Sequence, residues 1–151
     1  MNCMKKKNKA IFFATVFILV SLLVFLNYIK GAEYDKFINE NTIRSEDQLD
    51  DSISVDDISL IYFYSPKCDY CKKIKKKLVP KLKRLKEKNI KFYCFDVSYD
   101  KELIKSKYGL EYVPALILYD NSNELKRLID GIFDSNVLDK YFEYIEVLYE
   151  S

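Results

Sequence analysis

The chain has 151 residues, with 25 basic and 23 acidic side chains, a formal net charge of +2 and 49% hydrophobic content. That length suits one domain plus an appendage, and the near balance of charge gives no reason to expect nucleic acid as the main partner. There is no histidine, so Ser/His triads, Cys/His proteases and His-ligated metal sites each lack a required part. Three scattered glycines, Gly31, Gly109 and Gly131, are too few for a GxGxxG or Walker loop. The four cysteines are therefore the first place to look for chemistry.

The charge is unevenly spread. Lys5, Lys6, Lys7 and Lys9 are the only charged residues of the first 29 positions. Behind them Ala10 to Ile29 is an uncharged apolar run of twenty residues, which as a helix rises about 30 Å, the thickness of a bilayer core. Its lysine flank should stay cytoplasmic, which sends the rest of the chain out of the cytosol. A cleavable signal peptide competes with this reading. Its apolar core would run about 7–15 residues, and the one small-residue exit here, Lys30-Gly31-Ala32, opens on a lysine. An uncleaved signal anchor is preferred. The expected organisation is a cytoplasmic basic tail over 1–9, a transmembrane signal anchor over 10–29, a linker over 30–38 and a folded domain over 39–151.

Within the domain, residues 33–57 carry nine acids against Lys36 and Arg44. Thr42-Ile43 reads as a brief strand. Ser45-Glu46-Asp47-Gln48 fits a capping box and predicts a helix over 45–53. Ile58 to Tyr64 is apolar, aromatic and β-branched and stops at Ser65-Pro66, as a buried strand does. Ile74, Leu78, Leu82 and Leu85 form a stripe at helical spacing over 72–88, with a kink expected near Lys76 because Pro80 removes a backbone bond. Ile90 to Val97 is a second central strand. Lys101 to Lys107 is a short helix stopped by Gly109. Ala115 to Tyr119 and Glu124 to Ile129 pair as a hairpin across Asn121-Ser122-Asn123. Ser135 to Tyr149 is an amphipathic helix with Leu138, Tyr141, Phe142, Ile145, Leu148 and Tyr149 as its buried stripe. Strands and helices in that order make an α/β sandwich.

Cys68-Asp69-Tyr70-Cys71 falls where a buried strand ends and a helix begins. Half of a zinc site is one reading, but a structural zinc needs four ligands. Only Cys3, across the membrane, and Cys94, in a predicted strand, remain. The redox reading has a mechanism. A helix start presents free amides and partial positive charge that stabilise a thiolate. Cys68 lies at that start and should be the exposed nucleophile; Cys71, one turn on, can break a mixed disulfide formed on it. No metal and no cofactor is expected.

From about Asn39 to Glu150 the chain resembles the thioredoxin superfamily. Strand, CxxC and helix are the first element. The segment Lys107-Tyr108-Gly109-Leu110-Glu111-Tyr112-Val113-Pro114-Ala115-Leu116 is similar to the family's approach to its cis-proline. Ile129-Asp130-Gly131 is similar to its strand-end glycine. The resemblance implies a thioredoxin-like fold, a central mixed sheet flanked by helices, with Pro114 facing the cysteines. It also implies that the Val113 backbone pairs with a substrate strand and that Pro114 keeps metals and stray thiols away. The departures are specific. Lys67 stands where thioredoxin proper has Trp, Tyr62 where it has a buried acid, and Phe92 where it has a strand lysine. The helix proline is displaced to Pro80. The proton acceptor for Cys71 is then unassigned, with water as the default.

Lys67, Asp69 and Tyr70 are the expected redox-tuning residues. Lys67, Lys72 and Lys73 favour a thiolate at Cys68, and Asp69 opposes it. Residues 67–91 hold twelve bases against Asp69 and Glu87, so the summed field favours the thiolate, within a screening length of about 8 Å. The lysine-rich helix reads as a solvated face; docking to residues 33–57, acidic substrates or anionic headgroups is the alternative. Cys94 reads as a packing thiol, with a third redox cysteine as its alternative. The expected function is a membrane-anchored thiol–disulfide oxidoreductase acting on extracytoplasmic protein thiols and disulfides, either a reductant fed by a transmembrane electron carrier or an oxidant or isomerase. Two alternatives stand: an accessory protein for a small secreted peptide of the bacteriocin type, and a non-catalytic tethered binding module.

Overall fold

The computed structural model describes residues 2–54, 58–88, 90–129 and 134–149. In chain order the elements are α1 (Asn2–Glu40), β1 (Thr42–Ile43), α2 (Glu46–Ser54), β2 (Ile58–Tyr64), α3 (Asp69–Glu87), β3 (Lys91–Asp96), α4 (Lys101–Tyr108), β4 (Ala115–Asp120), β5 (Asn123–Ile129) and α5 (Ser135–Leu148). The chain forms two compact units, Met1–Lys36 and Phe37–Ser151.

The first unit is a stretch of α1, and its apolar residues 11–29 are exposed, Phe17 at 74%. From Ile11 the helix is long and apolar enough to cross a membrane. It does not end where a linker was expected: residues 30–38 are helical through to Glu40. No proline interrupts them, and a single Gly31 costs only about 1 kcal/mol in a helix already nucleated upstream.

In the second unit five strands form one sheet in the order β1-β3-β2-β4-β5. β1, β3 and β2 are parallel, while β4 and β5 are antiparallel to their neighbours. The crossover from β1 to β2 passes over β3, and the crossover from β2 to β3 runs back. With both right-handed, their helices α2 and α3 lie on opposite faces. One face carries Leu49, Ile61, Phe63, Phe95, Ile104 and Ile117 in a single buried cluster. Strand alternation sends Leu60, Tyr62, Cys94 and Leu116 to the other face, where α3 contributes Cys71, Ile74, Leu78, Leu82 and Leu85, all buried.

Local chemistry sets the ends. Ser45 Oγ accepts from Gln48 N at 3.3 Å, and Gln48 Oε1 accepts from Arg44 N at 3.0 Å, a capping box shifted by one amide. Asp100 caps α4 through Leu103 N at 2.8 Å. Gly109 ends α4 at φ 63° and ψ 24°, a left-handed stop that suits glycine. Asn121 and Ser122 both have positive φ, 46° and 65°, as a two-residue hairpin turn requires. One sequence expectation holds here and one shifts. α3 starts at Asp69 with Cys68 as its cap, at the helix start expected for that cysteine and ahead of the apolar stripe over 72–88. The buried stripe of α5 stops at Ile145: Leu148 is exposed and Tyr149 half-buried.

Candidate active site

Ser65 and Pro66 stop β2 and turn the chain. Cys68 N donates to Ser65 O at 3.0 Å and closes that turn. The backbone of Cys68 is still extended, φ −81° and ψ 116°, so its side chain lies across the first free amides of α3. Its Sγ accepts from Cys71 N at 3.1 Å. The sulfur thus sits at the amide-rich start of α3. Cys68 is half-buried, and Cys71 is buried at 4% exposure. Both are free thiols, as is Cys94.

Antiparallel pairing brings a distant segment to this turn. Phe63 pairs with Ala115, so the start of β4 lies beside the end of β2. The Val113–Pro114 bond just before it is cis. Val113 O lies 3.6 Å from Cys68 Sγ and accepts from its thiol. The structure thus brings Cys68, Cys71, Val113 and Pro114 together. An open cleft of about 590 Å³ lies beside Cys68, lined among others by Ser65, Lys67, Lys101, Glu111, Tyr112 and Val113.

Cys71 and Cys68 sit in different environments. Burial pushes the Cys71 thiol up to about 12, helped by its hydrogen bond with Cys68 and by that thiol's charge; the Ser65 backbone and Tyr62 act the other way. The charged neighbours divide differently from a simple sum. Asp69 pairs with Lys72 at 3.2 Å, so two groups read as opposing each other at Cys68 partly neutralise one another. Lys73 lies over the Tyr70 ring, 5.2 Å from its centre, and Tyr70 is 47% exposed. Lys67 stays on the cleft wall.

Cys94 is fully buried, and burial raises its thiol well above the ordinary value. It occupies the packing position expected for it, in register with Tyr62 on β2. Of Ile129-Asp130-Gly131, Asp130 and Gly131 lie outside the described residues. Glu46 and Asp50 from the acidic stretch bind Lys107 at 3.0 and 2.6 Å, and Tyr108 donates to Asp50 Oδ1 at 3.1 Å. This clamp between α2 and α4 was invisible in sequence, because its partners lie more than fifty residues apart. The sequence also offered Tyr62 only as a missing acid. Its period-two alternation with Tyr64 was the available sign that its hydroxyl faces α3.

The Thioredoxin family model matches residues 40–143. Mitochondrial thioredoxin-2 of Schizosaccharomyces pombe is 31% identical over 106 residues, which cover 68% of this chain and 77% of that protein. Among solved structures, a mutant thioredoxin from Halobacterium salinarum is 25% identical, with a TM-score of 0.57 over 73% of this chain and 90% of its own. Oxidised mitochondrial thioredoxin 3 of Saccharomyces cerevisiae shares the fold at 19% identity and a TM-score of 0.55, over 69% of this chain and 93% of its own. A mixed sheet carrying a close cysteine pair, with these relatives, defines a thiol–disulfide oxidoreductase. The chain belongs to the thioredoxin family.

Proposed function

We propose that this protein is a membrane-anchored oxidoreductase whose Cys68–Cys71 pair exchanges electrons with protein thiols and disulfides outside the cytosol. The observation that carries the redox reading is the Cys68 Sγ at the start of α3, accepting from Cys71 N and lying against Val113 O beside a cis-proline. The anchor reading is supported by an uncharged run over residues 10–29 behind a lysine cluster, in a helix long and apolar enough to span a bilayer.

The mechanism follows from the two environments. The Cys68 thiolate attacks a substrate disulfide; one substrate sulfur leaves as thiol and the other is held in a mixed disulfide on Cys68. The Val113 backbone holds the substrate strand, and Pro114 shields the sulfurs. Cys71 then attacks Cys68 Sγ, closing the Cys68–Cys71 disulfide and releasing the second substrate thiol. Two electrons pass from the dithiol to the substrate. Run backwards, the oxidised pair oxidises a substrate dithiol. A transmembrane electron carrier would supply electrons in the first direction. Lys67, Asp69 and Tyr70 border Cys68 and tune the balance.

Thiol trapping tests the chemistry. Cys71→Ser should accumulate mixed disulfides on Cys68, and Cys68→Ser should form none. Cys68→Ser protein that turns over substrate like wild type would refute the enzyme reading. An impermeant thiol reagent should label Cys68 in intact cells; labelling only after lysis would refute the outward orientation. A reduction potential near about −270 mV would mark a reductant and one near about −120 mV an oxidant.

A further inference from the structure

The Tyr62 hydroxyl is buried with no hydrogen-bond partner among the described residues, on a side chain only 2% exposed. Buried hydroxyls are almost always satisfied, because leaving one bare costs stability. A bare one therefore calls for an explanation. Its surroundings supply it. Tyr62 stands on β2, between Cys94 on β3 and Leu116 on β4. Its ring stacks on Tyr64, with centres 5.6 Å apart and planes 9° apart, which fixes its direction. Strand alternation turns it to the face that α3 covers, where Cys71 is buried; the hydroxyl and the Cys71 thiol act on each other there without the alignment of a full hydrogen bond.

A neutral thiol is a poor hydrogen-bond acceptor, whereas a thiolate is a strong one. We infer that Tyr62 is the hydrogen-bond donor that receives the Cys71 thiolate during the resolving step, so that its orphaned hydroxyl is satisfied only when that charge appears. The phenol is suited to this and not to base catalysis. Burial and the neighbouring thiols hold it well above its ordinary 10.0, so it keeps its proton. The groups facing Cys71 are Cys68 at the start of α3, the Ser65 backbone in the turn and Tyr62 on β2; Cys94 on β3 faces Tyr62.

The step balances without a protein base. The Cys71 thiol loses its proton to solvent, and its sulfur attacks Cys68 Sγ. The Cys68–Cys71 bond forms and the Cys68–substrate bond breaks. The electron pair leaves on the substrate sulfur, which takes a proton from solvent. Tyr62 donates a hydrogen bond throughout and ends with its own proton.

The inference rests on Cys68 as nucleophile and Cys71 as resolving thiol, and one experiment separates the two claims. The reduced full chain carrying Cys3→Ser, in detergent micelles, is mixed with one equivalent of dithiobis-nitrobenzoate, which releases one coloured thiolate on attack by Cys68 and a second on resolution by Cys71. Wild type should release both. Tyr62→Phe removes a hydroxyl with no aligned hydrogen bond in the reduced protein, so it should fold with stability within about 1 kcal/mol of wild type. It should give the first release within about twofold of wild type and slow the second about tenfold. The midpoint of the second release against pH should rise by about one unit. In a Cys68→Ser background, Tyr62→Phe should raise the pH at which the thiolate absorbance of Cys71 develops. An unchanged second release with an unchanged midpoint would overturn the inference while leaving the redox reading intact. No first release from wild type would overturn both.

Discussion

Raising the pH past about 9 should weaken this domain through two buried thiols. Cys71 is 4% exposed and Cys94 fully buried. Burial raises both above the ordinary 9.0, Cys71 to about 12 and Cys94 well above its ordinary value. The folded thiols therefore keep protons that the unfolded chain gives up. The unfolded state binds fewer protons, and stability is full below about pH 9 and falls as pH rises from there. At about pH 10 an unfolded thiol is about 90% ionised, which costs about 1.4 kcal/mol per thiol and about 3 kcal/mol for the pair. Tyr62, Tyr108, Tyr119 and Tyr141 are raised as well and add to the loss. Their share cancels when variants are compared. The assay is urea unfolding of the reduced full chain in micelles at about pH 7.5 and about pH 10, for wild type and Cys94→Ala. Cys94→Ala should be less stable than wild type at neutral pH, but its further loss at high pH should be smaller by about 1.4 kcal/mol. Equal losses in the two proteins would refute the argument that burial holds the Cys94 proton.

Gly109→Ala should cost about 1 kcal/mol. The nearest atom to an added Cβ is Arg127 Nη1 at 3.9 Å, so the strain lies in the positive φ and shows as a lower Tm with an unchanged m-value. Leu82→Ala, at a fully buried position on α3, should destabilise by about 2–5 kcal/mol in urea unfolding, whereas Leu148→Ala on the same face of the sheet should cost under about 1 kcal/mol. A chain starting at Phe37 should unfold at the same urea concentration as the full protein, because it keeps the whole of the second unit. One starting at Arg44 should unfold at lower urea, because it loses buried Ile38, the 5.9 Å stack of Phe37 on Phe92 and the 2.8 Å bond from Cys94 N to Asn41 O.

Much of this protein was legible in order along the chain. The run Ile58–Tyr64 had the composition and length of a buried strand and is one. Ile74, Leu78, Leu82 and Leu85 share a helix face by spacing alone, and all are buried. Gly109, the Asn121-Ser122 turn and the Ser45 cap each follow from short-range backbone chemistry. The departures were also local. Where the helix entering from the apolar run would end depended on what followed it, and Gly31 was too weak a signal. How far the stripe of α5 stays covered depended on what packs against its last turn, which no periodicity reports.

The sequence by itself determined the dithiol and the absence of histidine, the order of strands and helices, and the two-part division of charge and hydropathy. Those properties are set by residue type and by spacing within a few turns. The tertiary structure alone decided what surrounds the sulfurs. Antiparallel pairing of β2 with β4 carries Val113 across 45 residues to Cys68. Parallel pairing of β2 with β3 sets Tyr62 beside Cys94 under α3. Asp69 is taken up by Lys72, and Lys107 by Glu46 and Asp50. The acidity of a thiol depends on burial and on groups within a few ångströms, and chain separation says little about either.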